Sequence, residues 1–168
     1  QDAAHRAFVA GYVAHLSMDE YWSLNMVRPH FIQREWATGR WRLLMLHVIL
    51  IFMDERDYHQ RESWQAETLH AARPNAWLDF LSDDDLRLWR DLIHAQITPH
   101  GISQTYEIFG QRVGMPADEL RALMDTDAKL HENLWQYIPQ ETLADIEQGM
   151  YYFALEQMRA YLDESVPR

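Results

Sequence analysis

The run Leu43-Leu44-Met45-Leu46-His47-Val48-Ile49-Leu50-Ile51-Phe52-Met53 constrains this chain more than any other segment. Its eleven residues hold one polar side chain, His47, and no Gly or Pro. A helix built from them is apolar all round, and such a helix belongs at the centre of a bundle. It is too short for a bilayer, which takes ~18–20 uninterrupted apolar residues, so no transmembrane segment is expected. The helical pattern extends from about Trp36 to Arg56 and on towards His70.

Other segments show the same period. From Ala3 to about Asn25, residues Phe8, Tyr12, His15, Asp19 and Trp22 share one helix face, and Val27-Arg28-Pro29-His30 is expected to end that helix, because proline disfavours helix at the residue before it. Arg73-Pro74-Asn75 is a break. Ser82 is an expected N-cap for a helix to about Ile97, and Asp83, Asp84 and Asp85 suit the positive end of its dipole. A short helix from Ser103 to Arg112 should end near Gly114. Pro116 opens the next, expected to reach Tyr137, and the last should run from Pro139 to about Glu164. No alternating strand pattern persists anywhere. With 168 residues, seven Trp and eight Tyr, the chain can bury a core. It reads as all-α, a single-domain multi-helix bundle over residues 1–168. The chain opens on Gln1 rather than Met, so the reading allows for a trimmed start with part of the site upstream.

The absence of cysteine removes disulfides, thiolate zinc sites and cysteine nucleophiles together. A net charge of −11 argues against nucleic acid as a partner. Fourteen of the fifteen basic residues are Arg, Lys129 being the exception, a skew read as codon bias. No signal peptide is visible, which favours the cytoplasm. Trp-rich helical surfaces permit a homodimer. There is no phosphate-cradling Gly-rich loop, and the Ser residues lack the Gly context of a nucleophile elbow.

His15 and Asp19 carry the clearest chemistry. Four residues apart on a helix means about 40° of rotation and ~6 Å of rise, so both side chains can reach one ion. Gly11, one turn earlier, leaves room beside the imidazole. If the first helix turns at Asn25 and the second starts at Trp36, counting back from the turn sets His47 level with His15. Imidazole and carboxylate together suit zinc, so His15, Asp19 and His47 form the candidate metal shell. Asp54, Glu55 and His59, level with His5 by the same counting, make a weaker second candidate. Glu67/His70, Asp91/His94 and Asp127/His131 read as surface patterns. The competing reading makes His15 and Asp19, on a stripe flanked by Phe8, Tyr12, Leu16 and Trp22, a structural polar pair that satisfy each other, and His47 a hydrogen-bonded core histidine.

The segment Phe8-Val9-Ala10-Gly11-Tyr12-Val13-Ala14-His15-Leu16-Ser17-Met18-Asp19 resembles the signature helix of the zinc-dependent phospholipase C family, related in fold to the P1-type nucleases. That signature reads roughly Gly-Tyr-x-x-His-x-x-x-Asp, with His and Asp on zinc. Gly11, Tyr12, His15 and Asp19 match it. The resemblance implies an all-helical fold, zinc as cofactor and hydrolysis of a phosphoester, with a small-molecule or lipid phosphoester as substrate. His47 falls where the family has a second His-x-x-x-Glu/Asp pair, but Ile51 stands four residues after it in place of an acid. Asn25 is nearest the place of a further His, and His30 comes later. The function expected is therefore a zinc-dependent, phospholipase C-like phosphoester hydrolase with a reduced metal site. The alternative is a non-catalytic helical domain or ligand-binding protein whose metal site is structural or lost.

Overall fold

The computed structural model describes residues 2–164. Their regular structure is helical throughout, as expected. The chain divides into two compact units, Gln1–Leu46 with Leu123–Arg168, and His47–Ala122.

The first unit is organised around helix α1, Ala3–Trp22, and the final helix, Gln140–Glu164. Asp2 caps α1 by accepting the His5 N–H at 2.7 Å. Two contacts set the pairing with the final helix as antiparallel: Arg6 donates to the Leu162 carbonyl, and the Tyr21 ring lies 5.9 Å from that of Phe153. Of the stripe Phe8, Tyr12 and Trp22, only Trp22 is buried, and the side of α1 towards α8 is a different one. Ala10 and Ser17 are buried, with Ser17 Oγ donating to the Val13 carbonyl at 2.8 Å. Small residues on this face let the two backbones approach, and Gly149 lies opposite Tyr21. A Cβ on Gly149 would overlap the Tyr21 ring. Gly149→Val is expected to lower stability by about 1–3 kcal/mol through overpacking, read from the urea midpoint, with the loss smaller when Tyr21→Ala vacates the space.

Proline does not stop the first helix as expected. The helical path continues from Ser23 to Ile32 as a π-helical segment with Pro29 inside it, and Gln33 N–H closes on the Arg28 carbonyl at 2.9 Å. The wider i→i+5 turn re-pairs the carbonyls around a residue that has no N–H to give. Aromatic stacking then fixes the connection. Trp36 stacks on Tyr137 with ring centres 4.6 Å apart and donates to the His30 carbonyl at 2.8 Å. Arg34 reaches the Tyr137 carbonyl at 2.7 Å. Helix α2, Gly39–Gln60, starts three residues later than expected and runs from the first unit into the second. Leu44, Met45, Val48, Ile49 and Ile51 on it are buried, the last four almost completely, while Leu43 is exposed and the rest of the apolar run is half-buried.

In the second unit α2 ends at Gln60 rather than running on to His70. A new helix, α3, Ser63–Ala71, begins at once. Glu62 N–H donates to the Gln65 side chain at 2.8 Å, half of a capping box. Helix α4, Asp83–Ile97, has Ser82 as its N-cap, accepting from Asp85 N–H at 3.1 Å. Helix α5, Thr105–Val113, ends at Gly114, the one glycine here with a left-handed φ, 67°. The long helix expected from Pro116 is broken into α6, Ala117–Met124, and α7, Asp127–Leu130, with a π-helical turn over His131–Trp135. Thr126 restarts the chain by capping Lys129 N–H at 3.3 Å. The final helix is α8. Among the described residues no helix is long and apolar enough to cross a membrane.

Candidate functional site

His15 and Asp19 come together as their spacing requires. His15 Nε2 lies 3.5 Å from Asp19 Oδ2, and the two side chains are 66% and 65% exposed. Both stand about half a turn round α1 from the Ala10–Ser17 face that meets α8, which is why they are open to solvent rather than lodged among apolar groups as the sequence suggests. The separation has a chemical meaning. Two ligand atoms bound to tetrahedral zinc at ~2.0–2.1 Å sit roughly 3.3–3.4 Å apart, so the pair matches one edge of such a shell with little adjustment. Gly11 adds to this. It is exposed, and nothing lies within 4 Å of where its Cβ would be.

His47 belongs to the second unit. It is half-buried and meets Phe109 edge-on, ring centres 5.7 Å apart. The counting that set it level with His15 assumed a turn at Asn25. The helical path runs on past Asn25 to Ile32. His30, the later histidine, is also half-buried. Its Nδ1 is buried without a hydrogen bond, and burial, assisted by Arg34, pulls its pKa below the ordinary value.

Asp54 is not part of a His-carboxylate cluster. It is exposed as a residue, yet its carboxyl is partly desolvated and accepts the hydroxyl of buried Thr105 at 2.8 Å. Burial raises its pKa, the Thr105 bond opposes this, Asp57 adds to the rise and Arg112 opposes it. The folded chain therefore holds this proton more tightly than the unfolded one. The resulting stability is present in acid and is lost as pH rises through the folded pKa. Asp54→Asn, which still accepts from Thr105, is expected to be more stable than the parent at neutral pH and to lose that advantage below the ordinary aspartate value of 3.8. Urea midpoints at the two pH values check this.

Glu67/His70 and Asp91/His94 are exposed or half-exposed, as surface patterns should be. The sequence gives no hint that they meet: the His70 and His94 rings stack with centres 4.5 Å apart where α3 crosses α4. The Arg90 hydrogen bond to Asp91, 2.7 Å, holds that carboxyl below the usual range. Asp127 and His131 line an open cavity of about 830 Å³ in the first unit. His59 packs edge-on against Tyr58. Among the described residues no group of three or more His, Asp or Glu side chains is arranged to hold a metal ion. Comparison of the chain with protein-family models, with curated proteins and with solved structures returns no match.

Proposed function

We propose that the chain is a metal-dependent phosphoester hydrolase that uses a reduced zinc site on α1. The observation that carries this reading is the 3.5 Å approach of His15 Nε2 to Asp19 Oδ2, close to the ligand spacing of tetrahedral zinc. Gly11 supports it. A glycine inside a helix is less stable than alanine by about 0.5–1 kcal/mol, and no neighbour here demands one. The space it opens one turn before His15 would be free for what approaches the pair. His15 and Asp19 are the residues that would hold the ion, and the proposal rests on these two alone. Bound zinc would lower the pKa of a water to about 7 and offset charge on a phosphoryl oxygen. The chain's own part is to hold imidazole and carboxylate on one rigid helix face, open to a substrate from solvent. An exposed pair would leave two positions of a tetrahedral ion to water or substrate, one more than the single open position of a catalytic zinc site with three protein ligands.

The exposure of the pair also favours a second reading, a non-catalytic helical domain in which the two residues merely form a surface hydrogen bond. A panel of phosphodiester and phospholipid substrates, assayed with zinc and with chelator, separates the two. Turnover that chelator abolishes and zinc restores supports the hydrolase. Turnover absent from every substrate leaves the non-catalytic reading.

A further inference from the structure

The second unit contains a cleft of about 450 Å³ that the His15/Asp19 site does not involve. Its volume falls within the range of small-molecule sites. Four elements converge on it: α2 with Asp54 and Tyr58, the bend after α2 with Arg61, α4 with Trp89, Ile93 and Ile97, and α5 with Ile108, Phe109 and Arg112. One wall is thus aromatic and aliphatic. Trp89, which lines it, is 61% exposed.

The charge pattern gives the cleft its chemistry. Arg61 stacks over the Tyr58 ring, its Cζ 3.7 Å from the centroid. Its guanidinium donates to three main-chain carbonyls: Ile97 at 3.2 Å, Thr98 at 3.3 Å, and Tyr58. Those bonds fix its orientation without neutralising it, and two of its five N–H groups remain to be used. Arg112, exposed, lies over Phe109 with Cζ 5.1 Å from the ring centre. Neither arginine is in an ion pair among the described residues. Of the acids in the cleft, Asp57 is bridged to Arg56 at 2.9 Å, and Asp54 accepts from Thr105 and is partly offset by the charge of Arg112. With Asp57 matched by Arg56, two arginines face one carboxylate, in a chain of net charge −11. A guanidinium held in place by carbonyls beside an apolar wall is arranged to receive a planar or tetrahedral oxyanion.

We propose that this cleft binds a small organic anion: an apolar, ring-sized body bearing one carboxylate or phosphate group, with the anionic end on Arg61 and Arg112 and the body against Trp89, Ile97 and Phe109. Carboxylate and phosphate share the chemistry that the arginines read, and the test distinguishes them. Calorimetric titration of the His15→Ala protein in chelator removes any contribution from a zinc site. Phenylphosphonate and phenylacetate are the anionic probes; benzyl alcohol supplies the body without the charge and inorganic phosphate the charge without the body. At least one anionic probe is expected to bind with a dissociation constant of about 1 mM or tighter, at least tenfold tighter than either control. The tighter of the two identifies the head group. Arg112→Gln, which leaves the carbonyl contacts of Arg61 intact, should weaken binding at least tenfold; Arg61→Gln should do the same and in addition loosen the 98–101 turn. Equal binding of the controls, unchanged affinity in Arg112→Gln, or no binding by either anion would overturn the proposal. Each of these outcomes leaves the α1 site untouched, so the two readings stand or fall separately.

Discussion

Asp19→Ala and His15→Ala are each expected to lower chelator-sensitive phosphodiester turnover by at least about 100-fold, because loss of even an outer-shell partner at a metal site costs roughly 10–100-fold. Neither variant should unfold the chain. Both side chains are about two-thirds exposed, and an exposed i, i+4 pair contributes little to folding. Surface changes of this kind usually stay within about 0.5 kcal/mol. The expected signature is therefore a collapse of activity at an unchanged urea midpoint. Asp127→Ala, which removes an exposed acid four residues before a histidine, is the control and should retain full turnover. Parent-like turnover in both α1 variants would return the pair to an ordinary surface hydrogen bond.

Gly101→Val is expected to have the largest effect on stability, a loss of about 3 kcal/mol, at the top of the usual overpacking range. A Cβ at Gly101 would be driven into the Gln96 carbonyl and close to that of Ala95. These are backbone atoms at the end of α4, held by the helix they terminate, so they cannot swing aside as the Tyr21 ring can from Gly149. The same turn is tied down from below: Tyr58 donates to the Gly101 carbonyl and Arg61 to the carbonyls of Ile97 and Thr98. Displacing the turn would strip those bonds as well. Gly39→Ala, at a position with nothing within 4 Å, should be close to neutral. Urea denaturation of the two variants gives the comparison, and a Gly101→Val midpoint equal to the parent's would show that the turn relaxes freely.

The helical architecture was legible because its signals are local. The apolar run at 43–53, the Ser82 cap and the Gly114 stop each act within a turn or two of chain, and each stands where it was expected. Misreadings arose where local and longer-range effects compete. Pro29 reads as a stop, but a π turn accommodates it. The restart at α3 follows a capping box that uses Glu62 and Gln65, an acid in place of the usual hydroxyl. On α1 the stripe of Phe8, Tyr12 and Trp22 is buried at Trp22 alone, whereas close packing against α8 selected the small residues Ala10 and Ser17. That choice turned His15 and Asp19 to solvent. The i, i+4 meeting of the pair followed from helix geometry alone. The stacking of His70 on His94 and the convergence on the cleft depend on helices far apart in sequence, which no spacing rule on one helix reports.

The central claim is that α1 holds a zinc ion on His15 and Asp19, and the metal content of the chain purified without a histidine tag and exchanged into metal-free buffer tests it most directly. The account predicts about one zinc per chain in the parent and a clear loss of it in both His15→Ala and Asp19→Ala. Substoichiometric zinc in the parent, at a level that His15→Ala does not change, would contradict it.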